Sequence, residues 1–296
     1  MALPRVVVVH RATEYDGLIA RHGTHGQAAF FLGGRDRSID PVFEAHSRQA
    51  TAMSTVLKAI PGRWRRAVVA RDDLSRFLSS PDDVVVAVGQ DGLIPNVAKY
   101  LDGQPVIGIN PDASRNDGIL VRHLPAAAVD LLADIRADRV RFDERAMVRG
   151  SLADGQSIVA LNELFIGHRS HQSARYTVRF DGTRERHSSS GVVVATGTGA
   201  TGWARSICRE RGAPIEKPAA GDDRLLFLVR EAFPSVRTQT NLTAGSIDPD
   251  DKLLVRSEMD DGGVIFGDGV EPDALQFGWG EVCTVALADQ RLRLVA

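Results

Sequence analysis

Val84-Val85-Val86-Ala87-Val88-Gly89-Gln90-Asp91-Gly92 is the stretch on which the reading of this chain turns. Five apolar, mostly β-branched residues in a row predict a strand buried on both faces, as in a parallel sheet. The chain then turns on a glycine-bracketed aspartate, and Leu93–Leu101 reads as a helix with Pro95 in its first turn. In an open parallel sheet, ligands gather beyond the carboxyl ends of the strands. Glycines there let backbone N–H groups approach a phosphate, and a helix start adds a favourable dipole. A carboxylate among such amides would repel the anion. Its use is to hold a metal or to accept a proton from an attacking hydroxyl. The competing reading of the same residues is a plain Asp-Gly turn that caps a helix.

Outward from this stretch, Val6–Val9, Ala67–Ala70 and Val106–Ile109 are further short apolar runs. Asp40-Pro41 reads as an N-cap followed by proline at the first helical position. Behind it Val42, Met53, Val56, Leu57 and Ile60 recur at helical spacing, and Pro125–Ala137 adds a helix with Leu131, Leu132 and Ile135 on its apolar face. Strand–helix alternation predicts a parallel sheet with right-handed crossovers. Later, Tyr176, Val178 and Phe180 alternate with arginines and a threonine. Leu225–Arg230, Leu253–Ser257, Val264–Phe266 and Val282–Leu287 follow, separated by turns such as Asp154-Gly155, Asp181-Gly182 and Asp261-Gly262. That pattern predicts antiparallel strands. The expected organisation is a Rossmann-like α/β domain over residues 1–122 and a β-rich, sandwich-like domain over 123–296, with the boundary near 122–125.

With 296 residues, 43% hydrophobic and 25% charged, the chain has the balance of a globular protein. Its formal net charge of −2 lacks the basic excess of a nucleic-acid binder. Cys208 and Cys283 stand far apart without CxxC spacing, which argues against a disulfide framework or a zinc site. The histidine pairs His22/His25 and His168/His171 lack the further ligands that zinc needs, so no metal-ligating residue is assigned. No apolar run reaches membrane-spanning length. Val6–Val9 is too short for a signal-peptide core and leaves no room upstream for a transit peptide, so a cytoplasmic location is expected.

Three further segments carry chemistry. Asn162-Glu163 interrupts the apolar run Ala160–Ile166; the pair marks a β-bulge, faces a polar ligand such as ribose hydroxyls, or ends the strand in solvent. Ser188–Val194 leads into Ala195-Thr196-Gly197-Thr198-Gly199-Ala200-Thr201-Gly202-Trp203, and then into a helix through Ser206 and Cys208. Small hydroxyl residues at such a junction can read the polar edge of a base, and glycine permits close backbone approach. Trp203 reads either as core or as a stacking platform. Gly108-Ile109-Asn110-Pro111-Asp112-Ala113-Ser114-Arg115 follows a predicted parallel strand at the same sheet edge as Gly89–Gly92. Its Arg115 could face phosphate or lie exposed.

In this order and spacing the segments resemble the NAD kinase family, whose GGDG, NE and threonine/glycine-rich motifs match Gly89–Gly92, Asn162-Glu163 and Thr196–Trp203. The resemblance runs from the first strand to the C-terminus and is strongest toward the mitochondrial type. Arg21-His22, Val106–Asn110, Ala160–Gly167, Ser189–Gly191 and Asp261-Gly262-Gly263 ahead of Asp268-Gly269 are shared with that type. It implies an α/β domain with the aspartate loop, a β-rich domain with the NAD site, an active site between them and a final strand that returns to the first domain. It also implies ATP with Mg²⁺ or another divalent ion, or polyphosphate in some members, as donor system, and a homodimer or larger homo-oligomer. Asp91 matches the family's catalytic aspartate, which orients or deprotonates the ribose 2′-hydroxyl of NAD or NADH. Gly89, Gln90 and Gly92 fall at the phosphates. Asn110, Arg115, Asn162, Glu163, Thr196, Thr198, Thr201 and Ser206 fall where nucleotide is bound.

Gln90 stands where the family has its second glycine, Leu93 where it has threonine, and Ser190 where many bacterial members have aspartate. A glutamine forced to φ > 0 at position 90 would cost about 1 kcal/mol. The implied function is NAD kinase. The alternatives are a dinucleotide-binding regulatory protein of the same fold, or a kinase of that fold with another acceptor.

Overall fold

The computed structural model describes residues 3–212 and 215–296. The chain forms two units, Met1–Asp143 with Arg293–Ala296, and Glu144–Leu292.

In the first unit the elements run β1 (Arg5–His10), α1 (Glu14–His22), α2 (His25–Gly33), α3 (Asp40–Ala59), β2 (Arg65–Ala70), β3 (Asp83–Val88), α4 (Leu93–Ala98), β4 (Pro105–Ile109), α5 (Ala128–Arg136) and β5 (Phe142–Arg145). The sheet order is β2-β1-β3-β4, then the last strand of the chain (Leu292–Val295), then β5. The pairs β1–β2, β1–β3 and β3–β4 are parallel, as is the pairing of the last strand with β4. Every residue of β3 is buried. One face of the sheet, with Val84, Val86, Ile107 and Ile109, packs against Ala52 and Val56 of α3 and Ala128 and Leu132 of α5. The opposite face, with Val85 and Ala87, is buried as well, and α4 packs back on β3. The uninterrupted valine run follows from this two-sided burial.

Two local expectations are corrected. Asp40 is the first helical residue of α3 rather than its cap, and its N–H donates to Ser38 Oγ at 3.1 Å. The helix after the aspartate loop ends at Ala98, short of Leu101. The division between the units lies at Asp143/Glu144 rather than near 122–125, because α5 shares the core of α3 and the parallel sheet.

The second unit contains β6 (Val148–Leu152), β7 (Ser157–Ala160), β8 (Glu163–His168), β9 (Ala174–Phe180), β10 (Thr183–Ser189), β11 (Val192–Ala195), α6 (Trp203–Arg211), β12 (Leu225–Val229), β13 (Ala244–Ile247), β14 (Leu253–Ser257), β15 (Gly263–Gly267), β16 (Leu275–Gln276) and β17 (Val282–Leu287); β18 is Leu292–Val295. Its strands make two antiparallel sheets, β10-β9-β14-β17-β6-β7 and β13-β12-β11-β8-β15-β16. Val178, Val255 and Val285 of the first meet Ile166, Val194 and Phe227 of the second in one core, which makes the unit a sandwich. Val193, Leu226 and Leu228 on the outer face of the second sheet pack against Ala204 and Ile207 of α6. Asp181 and Gly182, both at positive φ (45° and 71°), close the β9–β10 hairpin.

Candidate functional sites in the two units

In the first unit the β3 ladder ends where Gly89 N–H donates to the Ile109 carbonyl at 3.0 Å. The loop then closes a turn, Leu93 N–H to Gln90 O at 2.9 Å, that runs directly into α4. Gln90 is exposed and is not among the residues with positive φ. The backbone cost considered for glutamine at this position is therefore not incurred. Asp91 is half-buried, and its carboxylate is held by three consecutive amides. Oδ1 accepts the N–H of Leu120 at 2.7 Å and of Val121 at 3.0 Å, and Oδ2 accepts that of Ile119 at 3.1 Å. This fixes the orientation of the carboxylate and leaves more acceptor capacity on Oδ2 than on Oδ1.

Segment 119–121 is brought to Asp91 by the loop after β4. Asn110 is buried and organises that loop. Its Oδ1 accepts the N–H of Asp112 at 3.0 Å, and its Nδ2 donates to the Asn116 carbonyl at 3.2 Å. A side chain at Gly108 would bring Cβ within 2.2 Å of the Leu120 carbonyl oxygen, so only glycine lets the segment cross β4 this closely. Asn110 thus has a structural task in this arrangement. Arg115 is exposed and lies near Glu44 (3.7 Å) and Asp112 (3.9 Å).

In the second unit the structure corrects the sequence picture of Asn162-Glu163. The run Ala160–Ile166 is not one interrupted strand: β7 belongs to one sheet and β8 to the other, and Leu161-Asn162 is where the chain crosses between them. The crossing is clamped on both sides. Asp268 accepts the N–H groups of Leu161 (2.9 Å), Asn162 (2.6 Å) and Glu163 (3.4 Å). On the carbonyl side, Thr196 Oγ1 donates to Leu161 O at 2.6 Å and Thr196 N–H to Asn162 O at 2.9 Å. The same hydroxyl accepts the N–H groups of Thr198 (3.1 Å) and Gly199 (3.2 Å). Thr196, fully buried, is therefore the joint between the crossing and the threonine-rich loop.

With the backbone clamped, the side chains are left over. Those of Asn162 and Glu163 take no hydrogen-bond partner among the described residues. Thr198 Oγ1 is buried without a partner, an expensive state for a hydroxyl in the absence of a ligand or water. Burial, with the Asp268 charge as a second cause, pushes the Glu163 carboxyl up to about 7. Thr201 is exposed, and its Oγ1 donates to the Thr198 carbonyl at 3.0 Å; Ser206 is exposed on the first turns of α6.

Trp203 forms the wall of a cavity of about 600 Å³, together with Phe165, Phe266, Arg230, His168 and Ser190. Its ring stacks on Phe165 (centroids 5.9 Å apart, planes at 20°), and the Arg230 guanidinium lies 5.1 Å from its centroid. The tryptophan is thus half core and half cavity wall. Apart from Trp203 as a candidate stacking platform, this aromatic cavity has no local signature in the sequence, and neither have the amides that hold Asp91. Asp268 stood out only as part of an Asp-Gly pair after a strand.

No protein-family profile matches the chain. Among curated proteins it is 24% identical over 227 residues to the NAD kinase of Caldicellulosiruptor saccharolyticus, covering 71% of this chain and 75% of that protein. It is 31% identical over 180 residues to human NAD kinase 2, mitochondrial (45% and 41%), and 30% identical over 186 residues to the NAD kinase of Halorubrum lacusprofundi (60% and 65%). The chain thus spans less than two thirds of the latter two relatives. Among solved structures, yeast NADH kinase complexed with NADH matches with a TM-score of 0.63 at 13% identity, over 100% of this chain and 84% of that one. An NAD kinase from Archaeoglobus fulgidus in complex with ATP matches with a TM-score of 0.57 at 19% identity, over 99% and 93%. In sequence the chain is thus similar to NAD kinases, and it shares their fold.

Proposed function

We propose that this protein is an NAD kinase, which transfers the terminal phosphate of ATP to the 2′-hydroxyl of the adenosine ribose of NAD or NADH. The observation that carries this reading is the clamped crossing of the second unit. It leaves the buried Thr198 hydroxyl without a partner, and the Asn162 amide and Glu163 carboxyl take no hydrogen bond among the described residues. These are hydrogen-bonding groups of the kind that ribose and amide edges require, on a backbone held by hydrogen bonds from both sides.

In this reading Asp91 is the group that orients the attacking hydroxyl and accepts its proton through Oδ2. Phosphoryl transfer asks little covalent chemistry of the protein. It asks for positioning and for charge neutralisation. The three amides that hold Asp91 supply the first of these. A divalent ion would supply the charge neutralisation at the donor phosphates; Mg²⁺ is held largely by phosphates, water and one or two carboxylates. The reading also takes the protein as a cytoplasmic homodimer or larger homo-oligomer; among the described residues no helix is long and apolar enough to cross a membrane. The regulatory-protein alternative was motivated by Gln90, and the unstrained backbone there removes the conformational part of that ground.

The test is an assay of purified protein with NAD or NADH, ATP and Mg²⁺, following NADP(H). Formation that depends on both the dinucleotide and ATP is expected. A protein that forms none but still rises in melting temperature with NAD would instead support the regulatory alternative.

A further inference from the structure

Asp268 sits just past β15 with its backbone in the left-handed region (φ 54°), which aspartate enters more readily than most residues other than glycine. Its two carboxylate oxygens take all three successive N–H groups of Leu161, Asn162 and Glu163, and its own N–H donates back to the Glu163 carbonyl at 3.0 Å. Charge-assisted bonds of this kind are roughly twice as strong as neutral ones. No other side chain is bonded to those three amides among the described residues.

We propose that Asp268 is a positioning residue for the dinucleotide: it fixes the Asn162–Glu163 crossing so that both side chains are presented to the ribose. The proposal rests on the NAD kinase reading. The same placement puts a negative charge close to Glu163. Its neighbour on β11 is Ala195, Gly267 of β15 pairs with the next residue, Leu164, and Thr196 on the far side of the crossing is uncharged. Asp268 is the charge that acts on it, adding to the effect of burial. Removing that charge lets Glu163 ionise at lower pH.

The experiment uses the full chain with Asp268→Asn, which keeps the shape but removes the charge and one acceptor. The KM for NAD is expected to rise about tenfold or more, the scale on which misplacement of a binding group acts. The KM for ATP should stay within about twofold. Hydrogen exchange at the amides of 161–163 should accelerate, while the β9–β10 hairpin is unaffected. The Glu163 carboxyl, followed by carbon NMR, should titrate at lower pH than in the wild type. An unchanged NAD KM together with unchanged exchange and titration overturns the proposal. So does a lowered melting temperature with an equal loss of kcat on both substrates and no shift in the Glu163 titration, which is what a merely structural residue would give. If Asp268→Asn does not fold, Asp268→Glu retains the charge with one added methylene. It should raise the NAD KM but leave Glu163 titrating as in the wild type, and failure of either overturns the proposal. A wild type that forms no NADP defeats the kinase reading alone, because exchange and titration need no turnover and still decide what Asp268 does.

Discussion

Gly199 lies so close to Asn162 that a methyl group on its Cα would stand 2.0 Å from the Asn162 carbonyl oxygen. The threonine-rich loop and the sheet crossing thus touch backbone to backbone, with no side chain between them. Gly199→Ala should push the two apart, lower the melting temperature and raise the KM for NAD, while the KM for ATP changes little. Thermal denaturation and steady-state kinetics on both substrates check this. A fully wild-type NAD KM would show that the contact does not shape the dinucleotide site.

Asp91→Asn tests the proposed base. Turnover should fall by about 10²-fold or more, the scale of general acid–base assistance. The structure adds a second expectation. Asparagine can accept through one atom only, so its Nδ2 would face one of the donors that now bind Asp91, Ile119 N–H or those of Leu120 and Val121. Stability should therefore drop by about 1–3 kcal/mol. NAD-dependent stabilisation measured alongside NADP formation separates loss of chemistry from loss of fold.

Gln90→Gly restores the family loop. Because Gln90 is exposed and its backbone is already in an ordinary conformation, no strain is relieved. The melting temperature should stay level or fall slightly, since glycine adds freedom to the unfolded chain. A rise in the KM for ATP would mean that the glutamine side chain has been recruited to the donor. A fall would mean that it crowds the phosphates.

Glu163 makes stability depend on pH in a particular direction. Its carboxyl is raised, by burial first and Asp268 second, to about 7 from a starting value of 4.5. Between those values the folded state holds a proton that the unfolded state has released. Stability is then highest below the lower value and declines as pH rises through the upper one. Glu163→Gln should flatten that decline, visible as a smaller loss of melting temperature between about pH 5 and pH 8. An unchanged pH slope would mean that Glu163 is ionised throughout.

The parallel sheet was readable from β3 because two-sided burial writes itself as an unbroken apolar run, and the antiparallel unit was readable from alternation and Asp-Gly turns. Asn162 was misplaced for a related reason. β7 and β8 are both apolar and nearly adjacent, so nothing local says that they join different sheets. The partners of Asp91 lie 28 to 30 positions away, and those of Asp268 lie 105 to 107 away. A residue whose task is to hold amides that distant leaves no local pattern. What remains visible is the residue type alone, an aspartate beside a glycine, and that is shared with any surface turn.

The placement of β18 sets an order of events during synthesis. Arg293 donates to the Gly103 carbonyl, 190 positions earlier, and His123 bonds to the Val295 carbonyl. The edge of β4 is therefore left without its neighbour until residues 292–295 have been made, by which point all strands of the second unit have preceded them. Long-range closures of this kind are slow. The sandwich is then free to form as an insertion inside an unfinished parallel sheet, and the unit that carries Asp91 is the last to be sealed.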